Sequence, residues 1–145
     1  MKKKFFLAVL VFCGTLIGCP RGSFFLWAQD PSEPADSMRY ALTSAVMCEG
    51  IQEEIPLNPT IVFSVGHGNA YCWSAFDQIA QKEIIYHFWY RKDRLVASIK
   101  LVLQPPRWAT YSSIRLRDAD KGPWRVDITD SDNHVLKTLR FSISD

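Results

Sequence analysis

The chain has 145 residues, 48% hydrophobic and 22% charged, a composition that excludes intrinsic disorder and leaves room for one domain. Its formal charge is +2, but Lys2, Lys3 and Lys4 open a segment expected to be removed, and without them 14 basic residues face 15 acidic ones. A mature chain so near neutrality has neither the electrostatic footprint of a nucleic-acid binder nor a polybasic patch for anionic lipid.

Met1-Lys2-Lys3-Lys4 reads as the positive start of a signal peptide, and Phe5 to Ile17 as its apolar stretch. Leu16-Ile17-Gly18-Cys19 then has the form of a lipobox, with Cys19 as the thiol that would accept diacylglycerol. A signal peptide over 1–19 is therefore expected, giving an exported lipoprotein anchored at the membrane and facing the periplasm or the cell exterior. Three alternatives stay open. A cut near Leu26-Trp27-Ala28 would release a soluble periplasmic or secreted protein; Phe24 to Trp27 could prolong an uncleaved anchor; and Cys19 could be an ordinary apolar-stretch residue like Cys13. Residues 20–37 follow, and from Gln29 to Ser37 they are rich in Pro, Ser, Ala, Asp and Glu. Such a stretch buries little and reads as a tether.

Residues 38–145 are expected to form one all-β domain. Tyr40 to Cys48, Thr60 to Val65 and Ala70 to Phe76 are the first predicted strands, and Ala75 to Gln81 is the one candidate helical turn. Ile84, Tyr86, Phe88 and Tyr90 alternate with Ile85, His87, Trp89 and Arg91, so both faces of that strand are largely apolar and it belongs inside a sheet. Lys92-Asp93 makes a tight turn into Leu95 to Leu103. Tyr111 to Leu116, Trp124 to Thr129 and Val135 to Ile143 complete the set. Pro56, Pro59, Gly66, Gly68, Pro105, Pro106, Gly122 and Pro123 fall between strands as breakers. Seven or eight short strands with almost no helix predict an antiparallel two-sheet sandwich of immunoglobulin or fibronectin type, with a small barrel as the alternative.

Export removes Cys13 and lipidates or removes Cys19, leaving Cys48 and Cys72 as an even pair in an oxidising compartment. A disulfide between them is expected; closing a loop of about 25 residues would contribute roughly 3 to 4 kcal/mol in the chain-entropy view. The alternatives are two free buried thiols or, against the long spacing, a zinc site.

Several stretches resemble the bacterial family called domain of unknown function 2914. They are Ala45 to Ile51, Glu54-Ile55-Pro56 and Ala70-Tyr71-Cys72-Trp73 in the first half. In the second half they are His87-Phe88-Trp89-Tyr90, Arg107-Trp108-Ala109-Thr110-Tyr111-Ser112-Ser113 and Gly122-Pro123-Trp124-Arg125-Val126. The resemblance spans roughly Tyr40 to Ile143. Ala109 and Ile114 stand where the family usually carries basic residues, which weakens any cationic surface it would imply. The resemblance implies a membrane-associated or exported domain and no established activity.

The candidate binding residues are Tyr71, His87, Trp89, Arg107 and Trp108. His87 and Trp89 share a strand face and would form a platform for a sugar or peptide; buried, they would be core instead. Arg107 beside Trp108 would be a recognition patch if exposed and a stacked clamp if not. No cofactor and no metal is expected, and His67 in Gly66-His67-Gly68 reads as a mobile turn. Ser64 and Ser112 lack a nucleophile elbow, so catalysis finds little support. The expected function is a non-catalytic binding or protein-interaction module of the cell envelope, its partner an envelope protein or glycan. The alternatives are a carbohydrate- or peptide-active enzyme using His87, and a structural accessory that pairs through an edge strand.

Overall fold

A computed structural model describes residues 39–145. The signal peptide, Cys19, the alternative cleavage point near Ala28 and the tether lie outside these residues.

Nine strands form two sheets. They are β1 (Ala41–Gln52), β2 (Ile55–Pro59), β3 (Val62–Ser64), β4 (Asn69–Asp77), β5 (Glu83–Arg91), β6 (Arg94–Leu103), β7 (Trp108–Arg115), β8 (Gly122–Thr129) and β9 (Val135–Ser144). The four-stranded sheet runs β2-β1-β4-β7 and the five-stranded sheet β3-β9-β8-β5-β6. Every pairing is antiparallel except the short β3–β9 pair. This is the expected two-sheet sandwich, with no closed barrel.

Alternation decides which side chains enter the core. Along β4, Ala70, Cys72, Ser74 and Phe76 are buried while Tyr71, Trp73, Ala75 and Asp77 are half-buried on the outer side. Along β5, Ile85, His87 and Trp89 point inward. On its outer face Tyr86 and Phe88 stack at 5.7 Å, and Arg125 lies 4.0 Å above the Tyr90 ring. Both faces are therefore occupied, as befits a strand flanked by β8 and β6. Lys92 and Asp93 both take positive φ (46° and 62°), the two-residue turn whose twist suits a hairpin.

The sequence reading differs from the structure in a few elements. Ile55–Pro59 forms β2 although it contains two prolines. It lies at a sheet edge, where a missing N–H costs little. Glu53 and Glu54 close the β1–β2 turn with φ of 50° and 64°. Gly122 and Pro123 begin β8 rather than separating strands. Gly122 has φ 114°, a value glycine reaches without strain, and it pairs with Ile143. No helical turn forms over residues 75–81: β4 continues to Asp77 and the chain then crosses to β5. Gly66-His67-Gly68 holds a short 3-10 turn over Val65–His67, in which His67 Nδ1 sits 3.0 Å from Glu49 Oε1.

The expected disulfide is absent: Cys48 and Cys72 are both free and buried. Register gives the reason. Cys72 stands opposite Met47, and Cys48 opposite Tyr71. Residues directly opposite share a face, so Cys72 points into the core with Met47 while Cys48 points out with Tyr71. Two thiols on opposite sides of one sheet cannot join. Burial raises the pKa of both thiols, so neither is an activated nucleophile.

Cys48 is nevertheless fully covered, and it lies outside the core cluster. What covers it is the β1–β2 hairpin. Pairing of β1 with β4 ends at Cys48, and Trp73 Nε1 donates to the Glu54 carbonyl at 2.7 Å. Trp73 stands opposite Val46, and six residues of flat strand from there to Gln52 would span about 20 Å. The bond therefore requires the hairpin to bend beyond Cys48 and bring its tip back over the outer face. Thiol labelling checks this arrangement: native protein should react slowly at both cysteines, and two thiols should titrate at once in denaturant without reductant. A native disulfide by mass would overturn it.

Candidate functional site

Chemistry-bearing side chains that include the sequence candidates gather in the middle of the core and on the outer face of the four-stranded sheet.

In the core, Ser74 (β4) and Ser112 (β7) reach inward from one sheet to His87 and Trp89 (β5) on the other. His87 Nε2 lies 3.2 Å from Ser74 Oγ and His87 Nδ1 lies 2.8 Å from Ser112 Oγ. Trp89 Nε1 donates to the same Ser112 oxygen at 3.0 Å. A single hydroxyl thus serves both aromatic side chains. Its oxygen accepts from the indole while its proton can go to the imidazole, leaving His87 Nε2–H to face Ser74; the other tautomer reverses the His87 bonds. His87 and Trp89 are both 0% exposed. Neither presents a surface, so a binding platform on this pair is corrected by their burial: they link the sheets.

Burial lowers the His87 pKa to about 4, well below its ordinary 6.5. The ring is neutral at pH 7. An enzyme built on His87 would have its base within reach of two hydroxyls but sealed from any substrate. The pH consequence follows by linkage. Between about pH 6.5 and 4 the unfolded chain protonates this histidine and the folded chain does not. Stability therefore falls as pH is lowered through that window, by up to about 3 kcal/mol. Denaturation measured at pH 7 and pH 4 should show this loss in the native sequence, and His87→Gln should flatten it. Ser112→Ala should strand two buried nitrogens at once and cost on the order of 3 kcal/mol, read as a lower midpoint in urea. A cost no larger than that of a surface serine would refute the shared-hydroxyl arrangement.

The other candidate residues lie elsewhere. Arg107 and Trp108 are neighbours in sequence but fall on opposite sides of β7. Trp108 stands opposite the inward-facing Phe76 and is 38% exposed at the end of the strand. Arg107 turns to Asp77, with its Nε at 3.2 Å and its Nη2 at 2.8 Å from one carboxylate oxygen. That pair holds the Asp77 carboxyl below its ordinary pKa. It replaces the stacked Arg107–Trp108 clamp. Among the described indoles, Trp73, Trp89 and Trp124 donate to Glu54, Ser112 and Asp120, and Trp108 alone has no hydrogen bond.

Tyr71 falls on the outer face with two residues that were not candidates from sequence, Trp73 and Tyr111. Tyr71 and Tyr111 meet edge-on with ring centroids 6.1 Å apart. Tyr111 is also the cross-strand partner of Trp73, whose other end is fixed to the hairpin tip. Ile55, next to that tip, is 61% exposed and Tyr111 46%. The face thus carries three aromatic rings flanked by exposed aliphatic side chains, with the Asp77–Arg107 pair farther along the same strands. The alternation in β4 carried the signal, since Tyr71 and Trp73 share a parity opposite to Cys72 and Ser74. Sequence alone could not say which parity faced the core.

The family model described as "Protein of unknown function (DUF2914)" matches residues 82–143. The resemblance read from the sequence is thereby supported from the start of β5 to the end of β9, while its first half lies outside the match. No curated protein matches the chain. Among solved structures, the crystal structure of beta-D-glucoside glucohydrolase from Trichoderma reesei is similar with a TM-score of 0.42 at 13% identity. That likeness covers 72% of this chain and 19% of the other, so the chain spans about a fifth of that protein's length.

Proposed function

With a family of unknown function matched over the second half of the chain, we propose that this protein is a non-catalytic protein-interaction module of the cell envelope. In this reading it is exported and held at the membrane through a lipid on Cys19, and it receives its partner on the outer face of the β2-β1-β4-β7 sheet. The observation that carries the reading is the band of Tyr71, Trp73 and Tyr111 beside exposed Ile55. Aromatic side chains at the centre of an exposed face supply most of the energy of protein interfaces. A bare sugar would leave the aliphatic flank uncovered, whereas a protein partner covers both. The sealed state of His87 leaves the enzyme reading without an accessible base.

A photoreactive amino acid at Tyr111, in cells, is expected to give one discrete crosslinked partner; the same group at Tyr86, on the opposite outer face, is expected to give none. Tyr71→Ala combined with Tyr111→Ala should abolish capture by a crosslinker at Ile55 while thermal stability stays close to that of the parent. Equal capture from both faces, or capture indifferent to the double substitution, would sink the reading. Mass spectrometry of the mature N-terminus tests the anchor independently, through an acylated Cys19.

A second reading has its own support. β2 pairs with β1 only over Cys48–Gln52, and β3 pairs with β9 only over Ser142–Ser144. The first half of β1 and most of β9 therefore each keep one edge without a strand among the described residues. Between them lies an open groove of about 450 Å³ lined by Val46, Met47, Ile61 and Leu139 among others. An added strand from a larger envelope protein would fit such an edge. Proline at Ala45 would then weaken association, and the outer-face substitutions would leave it intact.

A further inference from the structure

The segment after β2 crosses from one sheet to the other and leaves an uncovered edge behind it. The Thr60 N–H donates to the Met47 carbonyl at 3.0 Å, and the Ile61 carbonyl accepts from the Ser142 N–H at 2.9 Å. β3 then pairs with β9 only over Ser142–Ser144. Alternate residues of a strand turn their backbone groups to the same side. The N–H and C=O of Arg140 and Thr138 therefore point as those of Ser142 do, toward the edge that β3 leaves uncovered.

This edge opens into the core. Ala45 and Met47 stand opposite Ser74 and Cys72 on the inward face of β1, and Leu139 stands opposite Val126 on the inward face of β9. The groove of about 450 Å³ lies between them, and its lining has one charged side chain, Arg140, and no carboxylate. Lys137 shares the inward parity of Leu139 yet is exposed, so the core lacks a cover at that end of β9.

Charge on the outer side of the same edge is a separate observation. Arg140 stands directly opposite Arg125, and like charges in that position repel unless each has its own counter-ion. Arg125 has two, Asp93 and Asp127, and it also lies over the Tyr90 ring. Among the described residues the Arg140 side chain has no ion pair and no hydrogen bond, and β9 contains no acidic residue. One flank of Arg140 is taken by Arg125, and the other is the open edge. The complement of that edge is a carboxylate.

We propose that the open edge of β9 binds an extended segment of a partner protein in which apolar side chains alternate with carboxylates. The inference rests on the edge-strand reading above and names the chemistry of the added strand. The segment pairs its backbone with Arg140 and Thr138 and so extends the five-stranded sheet. Its apolar side chains enter the groove beside Leu139 and Met47, and a carboxylate on the other parity pairs with Arg140. Alternation in the segment follows from the site, because one of its faces meets the core and the other a guanidinium.

A nine-residue peptide alternating valine and glutamate, end-blocked and fluorescently labelled, tests this by anisotropy with the full chain. Saturable binding is expected, at least tenfold tighter than for the same peptide with lysine replacing glutamate, or with its valines and glutamates in two separate blocks. Arg140→Gln should weaken the glutamate peptide at least threefold, with a thermal midpoint no lower than the parent's, since it relieves the opposed arginines. Ala45→Pro, whose ring would stand in the groove, should weaken it by at least as much. Absence of saturable binding would overturn the inference. Equal binding of the lysine peptide, or indifference to Arg140→Gln, would overturn it and leave the edge-strand reading standing. Peptide affinity untouched by Ala45→Pro would remove both. Concentration-dependent dimers dispersed by Ala45→Pro would give the groove to a second copy of the chain and overturn the inference as well.

Discussion

The two sheets of this sandwich are joined at their centre by a small polar network built on two serine hydroxyls. Ser112 on β7 accepts from Trp89 and meets His87, both on β5, and His87 continues to Ser74 on β4. Hydrophobic burial would hold two sheets together in many relative positions, because it has no direction. A hydrogen-bonded set inside a dry interior tolerates few, since each unpaired nitrogen or oxygen carries its full desolvation cost. The network therefore ties the register of one sheet to that of the other. Apolar packing surrounds it: Trp89 and Phe141 meet edge-on at 5.9 Å, and Phe141 stacks on Trp124 at 6.1 Å.

That arrangement gives the family-like residues a structural meaning. His87 and Trp89 make the polar link, Ser112 receives it, and Trp124 and Val126 are core. A chain that carries these residues in these positions carries the means to assemble this sandwich. The parts free to meet another molecule lie elsewhere, on the bent hairpin, the outer aromatic band and the open edges. Function in such a domain is separable from the residues that make it recognisable.

Much of the fold was legible because period-two alternation is a direct imprint of sheet geometry. Eight of the nine strands were readable that way, and the doubly apolar Ile84–Arg91 stretch pointed correctly to an interior position. β2 was not, because its prolines signal a break unless the strand is known to lie at an edge. Parity was the deeper obstacle. Alternation shows that Tyr71 and Trp73 share a face, and that Cys72 and Ser74 share the other, without showing which meets the opposing sheet. For the same reason two cysteines that suggested a crosslink stand back to back, since pairing register depends on where β1 bends.

The opposed cysteines also bear on how this domain comes into being. With Cys72 sealed in the core and Cys48 sealed beneath the hairpin, the described residues contain no bond that an oxidant must make or a reductant could break. Its folding is indifferent to the redox poise of the compartment where it happens. The described domain therefore needs no disulfide to reach this fold, and an oxidation that joined Cys48 to Cys72 would trap it in a shape it does not use.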